Sequence, residues 1–505
     1  KCIRLLPTAH SLKTYSINSK DILLNTVKAA EGLSETGDSV VRISELIDVT
    51  ASLEEQKANI GISAGIIGKI KKLERQKVVL DDQVTLQKEL IKSKSPSAAA
   101  VLESRIVDLE SIQTRLSDDE ALVIVFPKIG GFSQGLYVVV VIESAAIRTK
   151  VITSFTTDKR IDTIIDSVAA VSPYEYKAAY RIFDDLFGNI KNGPSGNAVK
   201  KVTFIGAGKL DSIPLRLLIT ENPTEPDFKP NDSWAYKKAD FTRSTNLIQF
   251  LGSKILSVNN RSTGLFLGVG NPYLASSQSD LRGLQILLQD GSKPTISGLN
   301  RLSSLPDTES EIREIAKYYR DEPGSKILLG RDASEAQLKS LDIKRYSTIA
   351  FATHGLLSGE ISGLEEPALL LTPPSESSEY DDGLLTASEI SSMDMRASLV
   401  ILSACNTNVD DANTGSALTN LSNAFMHAGA TSIMATHWNI ESKVATFLTT
   451  NTIMRLNEKP SLGLPSAMNY AIGLARERPE WQHPFFWAPF SIYGDGSMNN
   501  HSITE

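Results

Sequence analysis

Two short stretches of this 505-residue chain place side chains suited to nucleophilic chemistry at the ends of apolar runs. In "STIAFATHGLL" the run closes on His354 and Gly355, and in "SLVILSACNT" it closes on Cys405. The histidine precedes the cysteine by 51 positions, and the only other cysteine is Cys2. A thiol attacks a carbonyl when an imidazole within reach takes its proton and later protonates the leaving amine. The tetrahedral oxyanion then needs donors, for which the amides of Gly355 and Cys405 are candidates. A glycine after the histidine lets the backbone approach a substrate carbonyl without a side-chain clash. Taken singly, a cysteine at a strand end reads as a small buried hydrophobe and a histidine as structural. Order, spacing and position at two strand ends together favour the chemical reading. No metal or cofactor is expected. His354, Cys405 and His437 lack the close ligand spacing of a zinc site, and "GAGKL" and "GVGNP" complete no phosphate-binding fingerprint.

The elements that position these residues follow from a change of texture along the chain. Residues 1–117 read as a helical bundle or stalk, with apolar residues at near-helical spacing in "DILLNTVKAAEGL" and "LESRIVDLESIQTRL". From residue 121, Val/Ile-rich runs such as "ALVIVF" and "GLYVVVVI" signal strands, and residues 118–262 read as one α/β unit. A second unit, residues 263–505, alternates strands near 265–269, 326–329, 348–353, 368–371, 399–403, 432–435 and 490–493 with helices. Three of those helices open on box-like caps, "TESE", "DASE" and "TASE", in which a small oxygen and a Glu each satisfy one backbone donor. Such alternation predicts a mostly parallel sheet flanked by helices, with sites at the C-terminal strand edges.

At this point the blocks "IAFATHG", "LVILSACNT", "LTNLSNAFMHAGATSIMATHWNI" and "HPFFWAPFSIYGDG" resemble the CHAT domain, a caspase-like, separase-related cysteine peptidase domain of clan CD. "IQTRLSDDEALVIVFP", "KKVTFIGAGKLDSIPLRLLI" and "LSSLPDTESEIREIAKYY" extend the resemblance over roughly residues 100–497. It implies His354 as general base, Cys405 as nucleophile, and Gly355 and Cys405 as oxyanion donors. It also implies a pseudo-peptidase half (118–262) before an active half (263–505). Similar sequences carry an aspartate shortly after a tryptophan, to receive a basic side chain before the scissile bond. Here the block reads "HWNIESK", so that preference loses its support. Ser403, His437, Trp438, Asn439, Glu441 and Ser442 are the candidate substrate-binding residues.

Composition agrees with a globular protein of 41% hydrophobic and 22% charged residues. A net charge of −7 leaves no electrostatic footprint for nucleic acid. No apolar run reaches the roughly eighteen residues of a membrane-spanning helix. Two cysteines suit a reducing compartment, and the cytoplasm is expected. The chain opens on Lys1, which predicts a natural N-terminus further upstream. The resulting expectation is a cysteine endopeptidase that cleaves a protein partner. An activating protein would bind through the N-terminal helices, in bacterial signalling or defence by family analogy. The alternatives are a catalytically silent scaffold of the same fold and a small-molecule acyltransferase or hydrolase.

Overall fold

A computed structural model of the chain describes residues 112–127, 136–190, 198–224, 228–259, 264–274, 299–300, 302–319, 323–358, 364–378, 380–403 and 414–497. Nearly all of the expected helical region, residues 1–111, and Cys405 with its loop therefore lie outside the described residues.

The chain enters the sheet through a meander, β1 (Glu120–Pro127), β2 (Leu136–Glu143) and β3 (Ala146–Thr153), each antiparallel to the next. β2, "LYVVVVIE", is buried along nearly its whole length, as an unbroken β-branched run must be when both faces are covered. β3 forms one edge of the sheet, and its exposed residues alternate with half-buried ones and the buried Ile152. Helices α1 (Ser154–Ala169) and α2 (Tyr176–Phe187) follow, then β4 (Lys201–Ile205), β5 (Asp240–Arg243) and α3 (Leu247–Asn259). The rest of the chain supplies β6 (Phe266–Pro272), α4 (Pro306–Ala316), β7 (Lys326–Gly330), α5 (Glu335–Lys339) and β8 (Thr348–Ala352). A small second sheet comes next, β9 (Gly355–Leu356), β10 (Ala368–Leu370) and β11 (Leu384–Thr386), leading into α6 (Ala387–Ser392). Then come β12 (Leu399–Leu402), α7 (Thr414–His427), β13 (Ser432–Thr436), α8 (Ser442–Glu458), α9 (Gly463–Arg476), α10 (Pro484–Trp487) and β14 (Phe490–Gly494).

The eleven strands of the main sheet run in the order β3-β2-β1-β4-β5-β14-β13-β12-β8-β6-β7. β1, β4, β5 and β14 are parallel, as are β13, β12, β8, β6 and β7, and the two sets meet at the antiparallel β14–β13 pair. One sheet therefore runs through both parts of the chain that the texture had divided near residue 262. The fold is a mixed α/β sheet flanked by helices. The alternation of a strand sends successive residues to opposite faces. In β8 and β12, Ala350, Ala352, Leu399 and Ile401 face the layer of α4, α8 and α9, while Ile349, Phe351, Val400 and Leu402 face α5, α6 and α7.

Of the three expected capping boxes, only that of α6 forms, with Thr386 accepting from Glu389 N and Glu389 accepting from Thr386 N. α4 starts earlier than "TESE" implies, because Pro306, with no N–H to satisfy, takes the first helical turn. Thr308 is thus inside the helix, where its hydroxyl donates to Leu305 O and accepts from Asn271 N. α5 is capped by Ser334, not Asp332, and Glu335 is wholly buried.

Candidate active site

β8 and β12 are neighbours in parallel register, with Phe351 opposite Leu402, and Ser403 N extends the ladder by donating to Phe351 O at 2.9 Å. His354 and Cys405 each follow their paired residue by three positions in the chain. The side chain of His354 is half-buried at the mouth of a cavity of about 70 Å³. Its Nε2 lies 2.8 Å from the carbonyl oxygen of Ser303. A carbonyl only accepts, so Nε2 carries the hydrogen and Nδ1 is left as the basic nitrogen. Burial holds the imidazole below its ordinary pKa, opposed by the Ser303 carbonyl. The ring is neutral at neutral pH, the state a base requires.

Gly355 pairs with Leu369 across the small sheet. Leu370 N donates to His354 O at 2.9 Å, which makes Gly355–Leu369 a pair that exchanges no hydrogen bonds. The Gly355 amide is accordingly not used by this ladder. Thr353 Oγ1 bonds Leu370 O, so the His-Gly step is tied to β10 from both sides.

The cavity is walled by Leu305 and Thr308 of the α4 entry, Thr353 and His354, Ser403, and the segment from Thr436 through Trp438, Asn439, Ile440 and Ser442 to Ala445. Glu311, which is wholly buried, also lines it. Four of the expected substrate-binding residues, Ser403, Trp438, Asn439 and Ser442, are brought together here. Trp438 is buried, with its Nε1 donating to Phe485 O at 2.9 Å, and Asn439 stands exposed at the rim. Glu441 is exposed as the N-cap residue of α8 and is not among the lining residues. His437 lies elsewhere. The strand alternation turns it to a separate cavity of about 20 Å³ beside Ser212 and Pro214, with Nε2 2.7 Å from Ser491 Oγ. Burial and the nearby Arg243 guanidinium hold its pKa well below the ordinary value. His483 caps α10, Nδ1 accepting from Phe485 N and Nε2 donating to Ser172 O.

Two participants escaped the sequence reading. The Ser303 carbonyl is a backbone group, which no side-chain motif could reveal. Glu311 had been read as a capping glutamate. The spacing Thr308, Glu311, Ile312, Ile315 is the buried stripe of α4, and that periodicity was the available signal. Among the described residues no cluster of three metal-ligating side chains occurs, and no helix is long and apolar enough to cross a membrane.

The family model of the CHAT domain matches residues 177–495, well over half of the chain. Among solved structures, similarity is found to the Arg-specific cysteine proteinase gingipain R (RgpB), at 11% identity and a TM-score of 0.37, covering 68% of this chain and 76% of that one. The complex of the Porphyromonas gingivalis RgpB pro- and mature domains is similar at 9% identity and a TM-score of 0.35, with 68% and 77% covered. The Saccharomyces cerevisiae separase–securin complex is similar at 9% identity and a TM-score of 0.43, covering 96% of this chain and 40% of that one. No curated protein matches the chain in sequence. The chain belongs to the CHAT domain family, part of the caspase-like clan CD.

Proposed function

We propose that the protein is a cysteine endopeptidase acting on a protein substrate through a Cys405–His354 dyad. The observation that carries this reading is the strand pair β8–β12, adjacent and in register, with His354 oriented by Ser303 at the edge of a cavity. Cys405 Sγ attacks the scissile carbonyl as His354 Nδ1 takes the thiol proton. The S–C bond forms, the C–N bond breaks, and the proton passes to the leaving amine. Water, deprotonated by the same nitrogen, then releases the acyl group. The amides of Gly355 and Cys405 receive the oxyanion. Ser403, Trp438, Asn439 and Ser442 contact the substrate, while His437 and Glu441 lie outside the pocket.

In this reading residues 118–262 form a pseudo-peptidase half that completes the sheet of the active half, 263–505. The N-terminal region, residues 1–117, receives an activating partner, and the enzyme works in the cytoplasm of a bacterium in signalling or defence.

Cleavage-site proteomics tests the activity. Wild-type protein and Cys405→Ala are added to host lysate with and without candidate activators, and new N-termini are mapped. Cleavages made by wild type and lost in Cys405→Ala support the dyad. Equal cleavage by both proteins removes Cys405 from the mechanism.

A further inference from the structure

The indole of Trp438 is shared by two cavities. It lines the one beside His354 and also the smaller one behind it, among Ser212, Pro214 and the α1 residues Ile164 and Val168. Trp438 is 4% exposed, and its Nε1 is held by Phe485 O. The smaller cavity measures about 20 Å³. Such a space takes no more than about one water, so the buried side of the indole rests on protein atoms. Whatever fixes those atoms fixes this wall of the cavity beside His354.

Ser212 and Pro214 belong to the first part of the chain, and His437 ties their turn down. Its Nε2 lies 2.7 Å from Ser491 Oγ on β14, and the ring is also hydrogen-bonded to the backbone of Ser212. His437 N donates to Pro489 O at 2.8 Å, so the backbone is anchored from which the ring reaches out. Arg243, the last residue of β5, closes the turn from the other side. It is 3% exposed and donates to Leu210 O at 3.3 Å, to Ile213 O and to Asp211 Oδ1 at 3.4 Å. The turn is thus clamped between a guanidinium and an imidazole. Burial and that guanidinium keep the imidazole neutral. A neutral imidazole offers one donor and one acceptor, one for each of its two partners.

We infer that His437 is a positioning residue for the proposed dyad: by holding the Ser212–Pro214 turn against Trp438 it sets the width of the substrate cavity, and through it the first part of the chain shapes the pocket of the second. The inference rests on the peptidase reading above and deepens it. The His437 side chain faces the smaller cavity, so its effect on substrate passes through the turn and the indole. Substrate placement is steep in distance, since a shift of about 1 Å can cost on the order of a hundredfold in rate. A small reagent that needs no pocket is indifferent to such a shift.

That difference supplies the test. Cys405 is labelled with iodoacetamide and, separately, with tripeptidyl acyloxymethyl ketones carrying arginine, leucine or aspartate next to the ketone. Rates are read by peptide-mapping mass spectrometry on the full chain, which separates Cys405 from Cys2. Each variant is checked for folding by circular dichroism. His437→Leu keeps the bulk and loses both hydrogen bonds. It is expected to slow the fastest peptidyl ketone about tenfold and to leave iodoacetamide unchanged. His437→Gln, which retains a neutral donor and acceptor, should recover most of the rate. Pro214→Gly, which loosens the turn and leaves His437 in place, should slow the peptidyl ketone alone. Equal slowing of both reagents, or of neither, overturns the positioning role, as does a glutamine variant no faster than leucine. Should the leucine variant fail to fold, Pro214→Gly against wild type decides.

A second readout is independent of the peptidase reading. In protein labelled with 5-fluorotryptophan, the four tryptophans give fluorine resonances of which Trp438→Phe assigns one. That resonance should move in His437→Leu and in Pro214→Gly, and an unmoved resonance overturns the inference. If no peptidyl ketone labels Cys405 of the wild type, the peptidase reading falls. A Trp438 resonance that still moves then supports His437 as the holder of this wall.

Discussion

His354 is held by a backbone carbonyl, not by a carboxylate. The Ser303 oxygen fixes the tautomer, yet as a neutral acceptor it does little to stabilise an imidazolium. Burial dominates and depresses the pKa. Protonation inactivates the base, so activity is lost on the acid side only below the lowered value. The acid limb of kcat/KM is expected to fall below pH 6.5, the ordinary imidazole range. A limb at pH 7 or above would contradict the neutral, buried base.

At the scale of elements, the same three-residue spacing of a small oxygen and a glutamate gave three different outcomes. Thr386 and Glu389 form a reciprocal cap at a half-buried helix start. Glu311 is buried because Pro306 moves the start of α4 back and rotates the glutamate onto the core stripe. Glu335 is buried because its carboxylate accepts from the amides of Asp382 and Gly383, each at 2.8 Å, and from Lys339. That bond set anchors the approach to β11, which pairs with β10, which in turn holds Gly355. Glu335→Ala is expected to cost about 3 kcal/mol, because the buried Gly383 amide and the Asp382 amide lose their acceptor and Lys339 loses a buried partner. Chemical denaturation measures that cost, and kcat/KM should fall with it. Thr386→Ala, which removes an ordinary cap, should cost only about 1 kcal/mol. Equal costs would deny Glu335 its anchoring role.

At the scale of the whole molecule, the first and second parts of the chain share one core. Arg216 is 2% exposed and donates to Phe241 O at 3.1 Å and to Asn469 Oδ1 at 3.0 Å, joining β5 to α9. Trp234 and Trp487 meet edge to face at 4.7 Å, with the Arg476 guanidinium over both rings. α10, which carries Trp487, leads directly into β14, the strand that joins the two parallel sets. Trp487→Ala should therefore cost about 4 kcal/mol and lower stability in a single transition. Two separate transitions in thermal or denaturant unfolding, with only one of them shifted, would show the parts to be independent.

Much of this was determined by the sequence alone, for reasons tied to particular residues. The strands around His354 and before Cys405 were legible because both are unbroken apolar runs that only a covered parallel sheet can bury, and their ends necessarily lie at its edge. The His-Gly pair and the Ser-Ala-Cys block stood out in the sequence because their residues are adjacent in the chain. β5 was not legible, since "DFTR" ends on an arginine that is buried only because Leu210 O, Ile213 O and Asp211 receive it. His437 and Ser403 looked equivalent as residues near strand ends, and the pleat separated them by turning one to each of two cavities. Glu311 is the clearest case. A glutamate reads as exposed until a proline sets the phase of its helix and the sheet, α4 and α8 close around it. Its burial and its hydrogen bonds from Ser403 and Thr449 were decided by packing between segments far apart in the chain.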